Sequence, residues 1–543
     1  MASLSTIPVD IYLHILKFLR TPDLYSLNLV CKPLRDLTEP ALYRNIQLSW
    51  RDLTQTESRD AIADEGLARL LQKETSGPFR LLMSILGRAE LASLVRSIQF
   101  TFDETFSDVE RYQMNNGVAV KSLRSYSYDV PPSWEDFKRL NEVVLKADLP
   151  QPLRWRTELS KGAVDAYVAL LLHHLHNLEY LNLGTGFLRS SLFVEITMND
   201  DIMWETSPSS FVGPFGNIKH IVHNANQLRS KYMPTMDDYY SIVPFFYLPC
   251  VETLEITLPD YDDIPGVATK PPASKLRSLI VRQALVRPLT LERILHLAPK
   301  LTSLTCELSY LAEGPLSRYN VPVNIKCSEV WKVLLRLEPS LECLTLFVTP
   351  YMPDDEIQIQ WLPPTQRHQK LHWAAFDAHF GSLRGFTRLK KLDVPLIMLL
   401  GSHALRYQET TILAECLPTN LEDLSLSYTE DRFTKFDNYI VHNFHRHLSE
   451  YIRKSRDINS SLLSITMKMG EWGSAQRSLV GIPALADECE WFGVALRVVH
   501  TVASTRYSNG EDMVREETLF DPLEPAPGPT VSYKRRNFLE HGP

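Results

Sequence analysis

A chain of 543 residues, with 44% apolar and 22% charged residues, is too long for one compact core and too apolar for a disordered chain; it implies several domains or a repeat array. The formal charge of −8 is spread along the chain, which excludes the concentrated basic face that nucleic acid requires. Seven scattered cysteines without a CxxC pair point to reduced thiols in the cytoplasm or nucleus, and no apolar run approaches the ~20 residues of a membrane helix.

In chain order, the first element is the apolar stretch IPVDIYLHILKFLRTPDLYSLNLVCKPLRDL from Ile7. Asp10, His14 and Lys17 interrupt it, and no basic segment precedes it, so it is not a signal peptide. Pro8 suits a helix start because it has no amide hydrogen to leave unpaired, and Asp10 suits a first turn. Pro22 and Pro33 open a second and a third short helix. Three helices this short, apolar on more than one side, need something to pack against.

The segment resembles an F-box at Ile7-Pro8, Asp10, Ile15-Leu16, Asp23-Leu24 and Val30-Cys31-Lys32, and LYRNIQL resembles the family's exit into the next domain. Leu34 stands where an aromatic is common. The resemblance implies docking on the Skp adaptor of a cullin RING ligase through Pro8, Ile11, Ile15, Leu16, Leu24, Leu27, Val30, Cys31 and Leu34. At ~1.5 to 3 kcal/mol per buried aliphatic, even partial burial of these nine would exceed the costs of association. The alternative is that the three helices cap a repeat array.

Beyond a helical connector over 49–90, apolar residues recur at i, i+3 and i+5: VRSIQF, LEYLNL, IKHIVH, VETLEI, LRSLIV, LTSLTC, LECLTL, LKKLDV, LEDLSL and LLSITM. A triplet alone carries little weight, since chance supplies one at about 8% of positions in so apolar a chain. The flanks are more specific. A helical pattern ends in LHNL, LPCV, LAPKL, LEPSL or LPTNL just before a triplet opens. Pro disfavours the α conformation in the residue before it, so the chain should emerge as a short strand with i+3 and i+5 on one side. Helices are expected in AVDAYVALLLHHL, TLERILHLA, SEVWKVLLRLE and FDNYIVHNFHRHLSEYIRK.

Helix, stop and strand in repetition resemble a leucine-rich repeat protein over residues 91–507. From Leu178 on, the steps run from 25 to 48 residues, and Gly186, Pro259, Ala284, Ser309 and Thr349 stand where the family places Asn or Cys after the triplet. An irregular α/β horseshoe with parallel strands and outer helices is the expected fold, with F-box/leucine-rich-repeat members of the fungal type as the implied kin; an ordinary α/β domain is the alternative. Residues 103–160 read as an irregular insertion, and 508–543, with DPLEPAPGPT and YKRRN, as a Pro-rich disordered tail.

No chemistry-bearing motif appears. His173, His174 and His176, like His442, His445 and His447, have spacings that cannot converge on one ion from a regular helix. The acidic loops at 236–240, 259–265 and 353–356 lack calcium-loop spacing. No cofactor, metal, membrane or catalytic residue is therefore expected. The outward strand positions, including Tyr180, Asn182, Glu255, Thr305, Thr345, Asp393 and Ser425, form a mixed polar surface suited to a protein target. The implied function is substrate recognition for a Skp–cullin–F-box ubiquitin ligase; a non-degradative scaffold is the alternative, and an enzyme is third.

Overall fold

The computed structural model describes residues 8–51, 77–103, 131–149, 151–184, 215–223, 242–257, 275–284, 288–311, 326–351, 380–396, 398–399, 413–428, 447–454, 461–469, 482–502, 513–520 and 530–535. It divides into two units. The first comprises Met1–Leu228, Tyr232–Ile256 and Pro265–Leu276, and most of the remainder, from Arg277 on, forms the second.

The first unit opens with α1 (Val9–Leu16), α2 (Thr21–Asn28) and α3 (Lys32–Arg44). The chain passes directly into β1 (Asn45–Arg51), then α4 (Gly77–Gly87), α5 (Ala89–Leu94) and β2 (Ser97–Asp103). The sheet thus begins at Asn45, well before the expected start near residue 91. Helices α6 (Trp134–Lys146), α7 (Pro152–Lys161) and α8 (Val164–His174) lead to β3 (Tyr180–Asn182). Then follow β4 (His220–His223), α9 (Val243–Tyr247) and β5 (Thr253–Thr257). Strands β1 to β5 pair in sequence order, all parallel.

The second unit contains β6 (Ser278–Ala284), α10 (Pro288–His296), β7 (Ser303–Leu311), α11 (Cys327–Leu334) and β8 (Cys343–Tyr351). It continues with β9 (Lys391–Pro395), α12 (Leu413–Cys416), β10 (Asp423–Tyr428), α13 over 447–454 and β11 (Ser464–Met469). Last come α14 (Ile482–Trp491) and β12 (Ala495–Val502). Strands β6 to β12 are again parallel and sequential.

All ten triplets are buried at all three positions, from Val95, Ile98 and Phe100 to Leu462, Ile465 and Met467, none more than 6% exposed. The last two members point inward from the strand, and the first turns in at the corner before it. Register carries no stagger: Ser97, Tyr180, His220 and Thr253 align, as do Ser278, Ser303, Cys343, Lys391, Asp423, Ser464 and Ala495.

A recurring backbone bond enforces this alignment. The carbonyl after eight of the ten opening residues accepts two N–H groups of the next strand's entry: Arg96 from Glu179 and Tyr180 at 2.8 and 3.0 Å, and Glu342 from Lys390 and Lys391 at 2.8 and 3.0 Å. The ladder missing from the turn after the triplet is found before it. Asn177 and Asn217 donate to the Ser93 and His176 carbonyls at 2.9 and 2.8 Å, and Asn420 donates to the Leu389 carbonyl at 3.0 Å.

Two expectations need correction. Within the expected irregular insertion, 131–149 and 151–161 are largely helical: Ser133 caps α6 by accepting the Asp136 N–H at 3.2 Å, and Phe137, Leu140, Trp155 and Leu159 are buried. The Ser-x-x-Asp start after two prolines is a helix signal that outweighs the polar, Pro-bearing surroundings. Residues 104–130 lie outside the described residues. The expected disordered tail instead contributes β13 (Met513–Phe520) and β14 (Thr530–Arg535), antiparallel to β12 and to each other. An open parallel edge leaves N–H and C=O groups unpaired; β13 pairs with those of β12, and β14 in turn with β13.

Candidate docking face of the N-terminal helices

The local sequence sets each of the first three helices. Pro8 precedes α1, and its carbonyl accepts the N–H groups of Ile11 and Tyr12 at 3.1 and 3.2 Å. Pro22 and Pro33 lie in the first turns of α2 and α3, where a missing N–H costs nothing. Ser26 Oγ donates to the Pro22 carbonyl at 2.9 Å, and Thr38 Oγ1 to the Leu34 carbonyl at 2.8 Å.

The helices pack through a small interior. Leu16, Leu24 and Leu34 are 5–7% exposed, and Thr38 is fully buried. These three leucines therefore hold the helices together and offer no free surface, which corrects their place in the expected contact set. The reason is helical angle: Leu16 is turned about 100° from Ile15, so only one of the two can face outward.

Of the remaining expected positions, Pro8, Ile11, Ile15, Val30 and Cys31 are exposed and Leu27 is half-buried. Val9, Leu13, Phe18, Tyr25 and Leu29 were missed and also stand exposed, with Phe18 at 74% and Leu29 at 61%. Phe18 touches the His14 ring edge-to-face at 5.1 Å. Eight of the fourteen exposed large apolar side chains among the described residues lie between Val9 and Val30, a concentration of the kind found at binding surfaces. The missed residues are apolar in the sequence, but motif position did not single them out, and Val9 and Leu13 lie on the same side of α1 as the buried Leu16, so only the packing shows them exposed.

The sheet-face residues divide between the units. In the second, Thr305, Thr345, Asp393 and Ser425 form one transverse row across β7 to β10. Lys468 pairs with Asp393 at 2.5 Å and lies 5.8 Å over the Phe347 ring. Asp423 accepts from Ser464 at 2.7 Å and pairs with Lys391 at 3.4 Å. Asp393 Oδ1 and Ser425 Oγ are buried without a hydrogen-bond partner. This face satisfies most of its charge internally.

In the first unit, Tyr180 and Asn182 are half-buried, and burial is the largest influence raising the Tyr180 hydroxyl above its ordinary pKa. Glu255 is 5% exposed, so it offers no open surface; the strand pattern gave its side correctly but not what covers it.

Burial pushes the Cys306 and Cys489 thiols up to about 12 and pulls His174 and His223 down to about 4. Among the described residues, no group of three His, Cys, Asp or Glu side chains is placed to hold a metal, and no helix is long and apolar enough to cross a membrane. His442, His445 and the acidic loops at 236–240, 259–265 and 353–356 lie outside the described residues.

Comparison of the whole chain with curated proteins finds no significant match. A family model described as F-box-like matches residues 4–49, which span α1 to α3 and the start of β1. The exposed apolar helices at the N-terminus thus constitute an F-box-like domain.

Proposed function

We propose that the chain is the substrate-recognition subunit of a Skp–cullin–F-box ubiquitin ligase: α1 and α2 dock on the Skp adaptor, and an irregular leucine-rich-repeat solenoid presents a protein target. The observation that carries this reading is the exposed apolar face from Pro8 to Cys31, coincident with the F-box-like match. The in-register strands, their helical crossovers and the buried triplets support the solenoid.

The mechanism is proximity. Holding a target lysine near the ubiquitin-charged enzyme raises its effective concentration, so the receptor need supply no nucleophile or general base. The row Thr305, Thr345, Asp393 and Ser425, with Tyr180 and Asn182 in the first unit, is the proposed target-facing surface. Its polar character favours recognition of a polar protein segment over a greasy one.

The test uses substitutions that leave the fold intact. Phe18→Asp with Val30→Asp places charge on side chains that are 74% and 65% exposed. Co-purification of the adaptor should be lost while the melting temperature holds; undiminished co-purification refutes the anchor. Leu16→Asp is unsuitable because it strikes the interior. Target turnover with and without the double substitution separates a degradative receptor from a scaffold that shares the docking step.

A further inference from the structure

We infer that Glu39 and Arg88 form a clamp that fixes the F-box-like helices on the start of the sheet, so that the docking face and strands β1 to β5 are held as one body. Its consequence for ubiquitin transfer rests on the adaptor reading above; the clamp itself does not.

Helix α3 ends at Arg44 and β1 begins at Asn45, whose backbone is already extended at φ −126° and ψ 106°. A helix joined to a strand at one residue has a single pair of torsions on which to swivel. The backbone alone restrains that joint weakly: the Arg44 carbonyl accepts the Arg96 N–H at 3.0 Å, and β1 pairs with β2 beyond it.

Side chains close the joint. Glu39 lies on the inner side of α3, 9% exposed, and both its carboxylate oxygens accept from Arg88, at 2.7 Å from Nη1 and 2.9 Å from Nη2. Arg88 Nε donates to Glu90 at 2.7 Å, so one guanidinium is gripped by carboxylates on α3 and on α5. Arg88 is the single residue between α4 and α5, and that junction is tied in turn to α6, where Arg139 donates to the Leu86 carbonyl at 2.5 Å. Leu91 and Ala92, in α5, are buried beside it.

Planar two-point pairing fixes angle as well as distance, which a single contact does not. Arg88 also holds the Glu39 carboxyl below its ordinary range, so the pair stays ionised at neutral pH. Removing Arg88 takes the paired cation from the buried Glu39, whereas removing Glu39 still leaves Arg88 its pair with Glu90, so the loss at Glu39 is the greater. Glu39 and Arg88 are thus positioning residues: they act through each other and Glu90 to set the direction in which a docked adaptor would hold the sheet. A rigid mount keeps a target within reach of the transfer enzyme, whereas a swivelling one dilutes it.

Hydrogen exchange on the full chain without adaptor tests the clamp. In Glu39→Gln and in Arg88→Gln, amides of α1 to α3 should exchange about tenfold faster while β2 to β5 keep their protection, and the double variant should be no worse than either single one. Unchanged exchange in α1 to α3, equal loss in β2 to β5, or additive effects would overturn the clamp. Adaptor capture is scored separately. A wild-type chain that captures no adaptor removes the docking reading and leaves the exchange result standing; faster exchange in a chain that does capture it supports both.

Discussion

The N-terminal helices and the sheet face of the second unit handle their surfaces in opposite ways. Between Val9 and Val30 eight large apolar side chains stand exposed with nothing to offset them. Across β8 to β11 the outward side chains are mostly polar, with Phe347 beneath Lys468, and Asp393 pairs with Lys468 while Asp423 pairs with Lys391 and Ser464. Apolar surface left in water carries stored driving force for association, whereas a self-paired polar face carries little and gains selectivity in its place. On the proposed reading, the first surface suits a constant partner and the second a selective one.

The largest expected effect breaks the first half of that contrast. Phe18→Asp with Val30→Asp should weaken adaptor binding by about 100-fold or more, measured by titration calorimetry, because each exposed aromatic or aliphatic anchor contributes on the order of 1.5 to 3 kcal/mol once buried. Leu24→Ala probes the interior beneath the same face. Leu24 is 7% exposed, and its truncation should cost about 2 to 5 kcal/mol in chemical denaturation, lowering docking only through loss of folded protein.

On the sheet face, Lys468→Ala removes a half-buried partner from Asp393. Stability should fall by about 1 to 2 kcal/mol, between the values for exposed and buried pairs, and adaptor binding should not change. A loss as large as that of Leu24→Ala would show this face to be structural and not selective.

The smallest effect is a pH slope confined to the first unit. His174 and His223 have folded pKa values of about 4 against an ordinary 6.5, with burial the principal cause. Between those values the unfolded chain binds protons that the folded chain does not, so stability is full above about 6.5 and declines as pH falls toward 4. His223→Leu, at a triplet position where Leu183 and Ile256 stand in the neighbouring triplets, should flatten the slope in pH-dependent melting. An unchanged slope would mean that His223 titrates normally.

Much of this was legible in the sequence. The triplets work because strand geometry turns i+3 and i+5 inward whatever the loop between repeats, so steps as unequal as 25 and 48 residues still stack in register. Pro8, Pro22 and Pro33 located all three short helices. What escaped depended on partners distant in sequence. Ile15 and Leu16 look alike in a motif, yet only packing against α3 separates the outward residue from the inward one. Glu39 and Arg88 lie 49 residues apart, and neither belongs to a pattern. The asparagine ladder was sought after the strand, whereas Asn177, Asn217 and Asn420 serve it from the entry turn. Strand β13 pairs with the edge of β12 and β14 with β13, contacts of the assembled sheet that a Pro-rich local composition conceals.

The claim that the N-terminal face is covered by a Skp adaptor is tested most directly by calorimetric titration of the full chain with purified adaptor at several temperatures. Burial of Phe18, Leu29, Val30 and their neighbours predicts saturable binding with a negative heat-capacity change that disappears in Phe18→Asp with Val30→Asp. Absence of binding, or binding with a heat-capacity change near zero that the double substitution leaves intact, would contradict it.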